Sequence, residues 1–182
     1  VLVTLFLPNL ILDGVVMSKI RNATGGNLRG SLSGGGALPK HIDEFFNNIG
    51  IPVFEGYGLT ETSPTISVRT NEKLIIGTVG PLYANTEIRL VDINTGNQIY
   101  PGPNGFGVKG EIHVKGPQVM KGYYKNKEAT DKVLKDGWFN TGDLGVMTYN
   151  GCLKIVGRSK ETIVLLSGEN VEPTPIENML LR

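Results

Sequence analysis

The sequence has few of the residues that build disulfide frameworks and metal clusters. Its 182 residues include one cysteine and two histidines. One cysteine cannot form a disulfide within the chain or a metal site by itself, so Cys152 is expected to be a small, buried apolar side chain. The count excludes a disulfide-stapled scaffold and favours a reducing, cytoplasmic location.

An excess of charge of one sign is also absent. The 18 lysines and arginines nearly balance the 17 aspartates and glutamates, which leaves a formal net charge of +1. This balance argues against a basic nucleic-acid surface and an acidic tail, so nucleic acid is not an expected partner. With 40% hydrophobic residues, the composition is that of a globular protein long enough to bury a core.

An uninterrupted long apolar run is missing too. Residues 1–20 are strongly apolar, but proline, asparagine, aspartate and glycine residues break the stretch. It is therefore not a membrane span, and it lacks the basic leader and cleavage site of a signal peptide, so we expect core structure. Because the chain starts at Val1 without a methionine and stops at Arg182, we expect both ends to be cut from a longer protein.

Glycine is plentiful, and two glycines define an unusual polar cluster. Gly56 and Gly58 flank Tyr57, and Thr60 and Glu61 follow directly. Glycines let the backbone approach a bound group and leave the ring exposed as a stacking face. A hydroxyl beside a carboxylate suits a phosphate with its magnesium ion. The alternative is an ordinary loop that leaves a strand.

A βαβ unit is expected to precede this cluster. Residues 28–33 form a candidate strand, residues 34–36 are three glycines, and apolar residues recur at helical spacing up to residue 49. A second strand is expected at residues 51–55. Since ligands bind beyond the carboxyl ends of parallel strands, the turns at residues 34–36 and 56–62 should lie together at a binding edge.

From residue 66 onward, short strands separated by turns predict a small, mainly antiparallel sheet or barrel. Residues 87–90 and 111–115 alternate apolar and polar side chains, so each strand should have one solvent-exposed face. His113 lies on the solvent-exposed face of the second strand, and we expect it to be solvated rather than catalytic. A polar helix is expected over residues 126–135.

A second polar cluster surrounds Asp143, which lies near two glycines in residues 138–145. A fixed carboxylate can accept hydrogen bonds from two hydroxyl groups, as the ribose-binding acid of dinucleotide sites does. The commoner role of an aspartate next to glycine is to cap or form a turn.

Asn150 and Gly151 predict a hairpin. Its second strand, residues 152–156, leads to Arg158, which is expected either to bind ribose or phosphate or to form a surface salt bridge.

The last residues are expected to begin another domain. Residues 162–166 read as a strand, and Thr174 and Pro175 predict a helix start with the proline at the first helical position.

Taken together, these motifs resemble those of the AMP-forming adenylating enzymes, which include acyl-CoA synthetases, firefly luciferase and peptide-synthetase adenylation domains. The resemblance covers nearly the whole chain and follows the family's motif order. The long-chain fatty acid CoA ligases are the most similar subfamily. The motifs lie at residues 33–36, 57–62, 110–123, 138–145, 157–160 and 168–177.

The resemblance implies roles for individual residues. Adenine would be held by the glycines of both turns and by the ring of Tyr57, namely by Gly34, Gly35, Gly36, Gly56, Tyr57 and Gly58. Thr60 would contact the α-phosphate and Glu61 would hold Mg²⁺. Asp143 would bind both ribose hydroxyls with support from Arg158, and Lys160 matches the hinge about which a C-terminal lid pivots.

The implied reaction has two steps. A fatty acid carboxylate attacks the α-phosphorus of ATP, which releases pyrophosphate, and the thiol of coenzyme A then displaces AMP. ATP, the fatty acid and coenzyme A are the implied small-molecule partners. Peripheral membrane contact of the parent and its oligomeric state stay open. The alternatives are an adenylating enzyme for another carboxylic or amino acid, and a non-catalytic nucleotide-binding module.

The implied fold is α/β. Residues 1–65 would be a βαβ part of a larger mixed sheet, residues 66–157 a small antiparallel sheet or barrel, and residues 158–182 the hinge and the start of the lid. The family's phosphate loop and its lid lysine are not found in the sequence. The 182-residue chain is therefore expected to be inactive alone, and the longer protein from which it is expected to be cut is expected to be active.

Overall fold

The computed structural model describes residues 13–165 and 170–180. The chain enters through a π-helical turn, Asp13–Met17, which continues as helix α1, Ser18–Ala23. Gly25 and Gly26 follow with positive φ angles and end the helix. Residues 1–20 were predicted to be core structure. Residues 1–12 lie outside the described residues, and the prediction is wrong for the π-helical turn, in which no residue is buried and Val15 and Val16 are 55% and 42% exposed.

The predicted βαβ unit is confirmed. Strand β1, Ser31–Ser33, runs parallel to strand β2, Val53–Gly58, and helix α2, Lys40–Asn48, connects them. The observed β1 is shorter than the predicted strand.

Strand β2 extends further than predicted. Residues 56–58, which were predicted to begin the turn at residues 56–62, belong to the strand. Gly56 and Tyr57 pair with Val68 and Ser67 of an antiparallel strand, β3, Thr65–Val68. This pairing supplies partners for the backbone groups of Gly56 and Tyr57 and keeps them extended. The turn itself is a short 3-10 helix, Thr60–Thr62. β1, β2 and β3 form a three-stranded mixed sheet.

The predicted antiparallel sheet is also confirmed, with six strands. The strands are β4, Glu87–Val91; β5, Gln98–Tyr100; β6, Lys109–Lys115; β7, Leu134–Lys135; β8, Trp138–Met147; and β9, Leu153–Arg158. Strand β8 pairs with three neighbours, β6, β7 and β9, and β4 pairs with β5 and β6. The predicted helix is α3, Lys127–Val133, and Asn126 caps it.

One apolar core joins the two sheets. Ile66 of β3 packs with Leu90, Ile112 and Leu153 of the six-stranded sheet, and each of these side chains is buried. Tyr57 packs against the same cluster. Cys152 is buried, as predicted. The shared core therefore places the end of β2 against the antiparallel sheet.

Beyond β9 the chain forms a two-stranded antiparallel pair and a helix. The strands are β10, Ile163–Val164, and β11, Asn170–Val171. Helix α4, Pro173–Leu180, begins before the predicted start at Thr174 and Pro175. The family motif residues Gly168 and Glu169 lie outside the described residues.

Among the described residues, the model contains no helix long and apolar enough to cross a bilayer. The expected cytoplasmic location stays a prediction.

Candidate functional site

The first glycine turn lies directly beside strand β2. A Cβ atom on Gly34 would lie 3.4 Å from the backbone oxygen of Gly56, and Gly35 has a φ angle of +81°. A Cβ atom on Gly36 would meet no atom within 4 Å. The three glycines are exposed and therefore leave an open surface next to the strand that carries Tyr57.

Gly58 is required by close packing of the backbone. A Cβ atom at this position would lie 1.6 Å from the backbone oxygen of Pro64, so no side chain fits. The buried hydroxyl of Thr62 fixes the following turn, since it accepts from the Leu59 N–H at 3.0 Å and lies 2.6 Å from the Pro64 carbonyl. The turn presents Thr60, which is exposed, to the surface.

Tyr57 and Asp143 meet although 86 positions separate them in the sequence. The Tyr57 hydroxyl donates to Asp143 Oδ2 at 2.7 Å. Arg158 Nε donates to the other oxygen, Oδ1, at 3.1 Å. Asp143 and Arg158 are register partners on β8 and β9, which explains their contact. The Asp143 side chain is 8% exposed and that of Arg158 is 59% exposed. The carboxylate is therefore buried at the base of the candidate site, and the guanidinium lies at its solvent-exposed rim.

The electrostatics keep Tyr57 protonated. Burial and the neighbouring Asp143 carboxylate raise the pKa of the Tyr57 phenol well above its ordinary value. The phenol is therefore a donor at neutral pH. A carboxylate has about four acceptor positions. Because Tyr57 and Arg158 use one position on each Asp143 oxygen, the carboxylate can accept further hydroxyl protons.

The backbone around Asp143 is held in a bend. Gly142 has a φ angle of +72°, and the Asp143 N–H donates to the Thr141 hydroxyl at 3.1 Å. The Ser159 N–H donates to the Gly142 carbonyl at 2.9 Å, which ties the segment after Arg158 to this bend. The aspartate is thus positioned before any ligand binds.

Glu61 is held by a residue to which the sequence reasoning assigned no role. The Tyr123 hydroxyl donates to Glu61 Oε1 at 2.8 Å, and the Met120 N–H donates to the Glu61 carbonyl at the same distance. Burial and the Glu61 carboxylate raise the pKa of the Tyr123 phenol. Tyr123 lies in one of the recognised motifs, but 62 positions separate it from Glu61, so sequence spacing could not show the contact.

The chemistry of Glu61 fits Mg²⁺. Within the described ranges, no group of three or more histidine, cysteine, aspartate or glutamate side chains could hold a metal by itself. Mg²⁺ is usually bound by one or two carboxylates together with waters and substrate phosphates, so a single partly buried carboxylate on a turn is an appropriate ligand.

Lys160 lies apart from these contacts. It is exposed in the turn that follows β9, two residues beyond Arg158. Its role as a hinge stays a prediction.

A polar cluster on β4, β6 and β8 surrounds His113, whose side chain is less exposed to solvent than the predicted solvent-facing position implied. His113 Nε2 lies 3.4 Å from Glu111 Oε2, and its Nδ1 lies 3.2 Å from Arg89 Nη2. The Asn140 amide also donates to Glu111 at 2.8 Å. The His113 side chain is 15% exposed. The hydrogen bond with His113, and to a lesser degree those with Ser159 and Asn140, lower the pKa of Glu111 against the effect of burial.

This cluster predicts a pH-dependent contribution to stability. Because the Glu111 pKa is lower in the folded protein than its ordinary value, ionised Glu111 stabilises the fold above that ordinary value, and the stabilisation is lost as the pH falls through the folded pKa. Glu111→Gln should lower the free energy of unfolding by about 1 kcal/mol at neutral pH, and by less below about pH 4. Urea unfolding at both pH values measures this.

The control is Glu128→Gln, which changes an exposed carboxylate paired with Lys132 on helix α3. It should alter stability little at either pH. A loss in Glu111→Gln that is the same at pH 3 and pH 7 would contradict the assigned pKa shift.

The comparison with protein families shows to which family the chain belongs. The model described as "AMP-binding enzyme" matches residues 4–124. The chain belongs to the AMP-binding enzyme family.

Two curated relatives of the chain are named as long-chain fatty acid ligases. The Arabidopsis thaliana protein named Long-chain-fatty-acid--[acyl-carrier-protein] ligase AEE15, chloroplastic, is 45% identical over 179 residues, which cover 92% of this chain and 24% of that protein. Long-chain-fatty-acid--CoA ligase FadD15 of Mycobacterium bovis is 38% identical over 170 residues, which cover 93% of this chain and 26% of that protein. The chain spans about a quarter of the length of these relatives.

A solved coenzyme A synthetase shares the fold. O-succinylbenzoate coenzyme A synthetase (MenE) from Bacillus subtilis, in complex with ATP and magnesium ion, matches with a TM-score of 0.72 and 34% sequence identity. The match covers 84% of this chain and 31% of that chain. The mixed α/β architecture is therefore that of adenylate-forming enzymes.

Proposed function

We propose that this chain forms the nucleotide-binding wall of a longer, AMP-forming long-chain fatty acid CoA ligase. The observation that carries the proposal is the 2.7 Å hydrogen bond between Tyr57 and Asp143. It unites two motifs, from different sheets, that the family resemblance assigns to adenine and ribose. Arg158 completes the group from the neighbouring strand.

In this proposal the nucleoside lies across the two sheets. The glycine turn of residues 34–36 and the flanking Gly56 and Gly58 form the surface against which adenine packs, with the Tyr57 ring on one side. Aromatic rings and bare backbone both give flat contact area for a base. Asp143 accepts the two ribose hydroxyls in its remaining acceptor positions, and Arg158 holds the carboxylate from the rim.

The phosphates lie toward the 3-10 turn. Thr60 donates its hydroxyl to the α-phosphate, and Glu61 is the protein ligand of Mg²⁺, with Tyr123 orienting the carboxylate. Bound Mg²⁺ would neutralise phosphate charge during phosphoryl transfer, which depends mainly on positioning and electrostatics. The solved relative in complex with ATP and magnesium ion supports this assignment.

The reaction follows from these contacts. A carboxylate is a poor acyl donor, so the fatty acid oxygen first attacks the α-phosphorus of ATP, and pyrophosphate leaves. The residues named above hold AMP in the resulting acyl adenylate. Coenzyme A must then reach the acyl carbon from another direction, and a lid rotation about Lys160 would open that path.

The names of the relatives support a fatty acid as the substrate. They also differ in the acceptor, since one is named as a ligase for acyl carrier protein and the other for coenzyme A. We propose coenzyme A as the acceptor. The solved relative acts by its name on another carboxylate, o-succinylbenzoate, which keeps an adenylating enzyme for a different acid as the second candidate.

Calorimetry of AMP binding to the full-length protein tests the nucleotide site. Asp143→Ala removes the acceptor for both ribose hydroxyls and should weaken AMP binding about 10- to 100-fold. The control, Asp131→Ala, removes an exposed helix carboxylate that pairs with Lys127 and should bind AMP as the wild type does. Unchanged binding in Asp143→Ala would refute the site.

The same measurement on the isolated 182-residue chain separates the alternatives. Strong AMP binding without turnover would favour a non-catalytic module. We expect weak binding or none, because the residues that contact pyrophosphate are not among those identified and ordering costs remain.

A further inference from the structure

Three charged side chains are buried together behind the first glycine turn. Arg69 Nη1 lies 2.8 Å from Asp43 Oδ1, and Arg69 Nη2 lies 2.8 Å from Glu55 Oε2. The side chains of Arg69, Asp43 and Glu55 are 0%, 1% and 11% exposed. They come from α2, from β2 and from the residue after β3, so the buried ion cluster connects all three elements.

Each of the three side-chain nitrogens of Arg69 donates to at least one oxygen. Besides the two carboxylates, Nε donates to the Thr78 carbonyl at 2.6 Å and Nη1 lies 3.3 Å from the Val53 carbonyl. Burying such ions is costly, and apolar replacements of similar size are often as stable. Stability alone therefore does not account for the cluster.

The two carboxylates of the cluster differ in what they hold. The second oxygen of Asp43 accepts from the Gly77 N–H at 3.3 Å, which lies in the loop after β3. The second oxygen of Glu55 accepts from the Leu38 N–H at 3.1 Å. Leu38 follows the first glycine turn by two residues. Among the side-chain hydrogen bonds of the described residues, this one alone reaches residues 34–38.

Glu55 is also two positions before Tyr57 on β2. Side chains two apart on a strand lie on the same face, so the carboxylate and the ring are neighbours on one surface of the sheet. Burial raises the pKa of Glu55, while the Leu38 N–H and Arg69 act against that rise. The N–H thus helps to keep the carboxylate ionised, and the ionised carboxylate holds the N–H.

We propose that Glu55 is a positioning residue of the adenine subsite, whose carboxylate, held by Arg69, fixes the first glycine turn at the correct distance from the Tyr57 strand. The inference rests on the proposed nucleotide site. Glu55 itself does not contact the nucleotide. It sets the distance between the glycine turn of residues 34–36 and the Tyr57 ring, between which adenine would bind.

The test compares Glu55→Gln with Asp43→Asn in the full-length protein. Both variants neutralise one partner of Arg69, but only Glu55 holds the turn. In Glu55→Gln the charged guanidinium attracts the amide oxygen, so the amide NH₂ faces the Leu38 N–H and the turn loses its acceptor. The KM for ATP should rise about 10-fold, with kcat and the KM for fatty acid changed less than about two-fold.

Asp43→Asn should leave the KM for ATP within about two-fold of the wild type, since it leaves the bond to Leu38 in place. If the two variants raise this KM equally, the effect is general loosening and the inference is wrong. If Glu55→Gln leaves the KM for ATP unchanged, the inference is also wrong.

A second pair of variants tests the inference if loss of the Glu55 charge prevents folding. Leu38→Pro removes the N–H donor but keeps all three side chains of the ion cluster, and Leu38→Ala removes the side chain but keeps the N–H. The proline variant should show the same rise in the KM for ATP, and the alanine variant should not. Equal effects of both substitutions would overturn the inference.

Failure of the inference is distinguishable from failure of the proposed function. Asp143→Ala is measured in the same series by AMP calorimetry. If it weakens AMP binding while Glu55→Gln does not, the nucleotide site stands and only the positioning role falls. If neither variant weakens binding, the nucleotide lies elsewhere and both proposals fall.

Discussion

Replacing Glu61 by glutamine is expected to reduce fatty-acid-dependent pyrophosphate release by the full-length protein about 100-fold or more. The amide keeps the size of the side chain and an oxygen that can accept from Tyr123. It loses the negative charge that makes a carboxylate a stronger ligand for a divalent cation than a neutral amide. Initial rates of pyrophosphate release, measured at saturating ATP over a range of Mg²⁺ concentrations, provide the test.

Two controls make the Glu61→Gln result specific. Glu72→Gln changes a fully exposed carboxylate and should leave the rate unchanged. AMP affinity in Glu61→Gln should stay close to that of the wild type, because the nucleoside contacts are intact. A rate in Glu61→Gln within about three-fold of the wild type would be incompatible with Glu61 as the metal ligand.

Replacing Arg69 by methionine is expected to destabilise the protein by about 3–5 kcal/mol. The substitution keeps most of the side-chain volume but leaves the carboxylates of Asp43 and Glu55 buried without their cation. It also leaves the Thr78 carbonyl without its donor. Urea unfolding, followed by circular dichroism, measures the change.

A triple variant separates charge from packing. When Arg69→Met is combined with Asp43→Leu and Glu55→Leu, no buried charge is left unpaired and much of the lost stability should return. The triple variant should nevertheless keep a raised KM for ATP, since the turn at Leu38 still lacks its acceptor. A loss below about 1 kcal/mol in Arg69→Met would show that the ion cluster is not buried as described.

The local parts of the fold could be predicted from the sequence. Glycines at residues 34–36 and the apolar spacing of α2 predicted the βαβ unit, and Asn150 with Gly151 predicted the hairpin between β8 and β9. These features depend on neighbouring residues only. The extension of β2 to Gly58 depends on pairing with β3, so local pattern placed a turn where the strand continues.

The buried charges could not be predicted in the same way. Asp43 lies on α2 among apolar residues, and charged residues are rarely fully buried, so nothing in the sequence marked it as core. Phe45, expected on the apolar face of the same helix, is 44% exposed. Pairing with Arg69, 26 positions away, reverses the usual preference of the aspartate, and only the tertiary structure reveals it.

The candidate site was recognised from motifs, whereas its contacts required the structure. The family resemblance named Tyr57 and Asp143, but their hydrogen bond depends on how the two sheets share a core. Tyr123 and Glu55 received no role from the sequence because their partners, Glu61 and the Leu38 N–H, lie far away in the chain. Roles that act through another residue leave little trace in a single sequence.

The most direct test of the central claim is to identify the products that the full-length protein forms from ATP and a panel of fatty acids before coenzyme A is added. Mass spectrometry should detect an acyl adenylate together with an equal amount of pyrophosphate, and coenzyme A should then convert the adenylate into a thioester and AMP. Release of ADP and phosphate, or the absence of an adenylate with every fatty acid tested, would contradict the account.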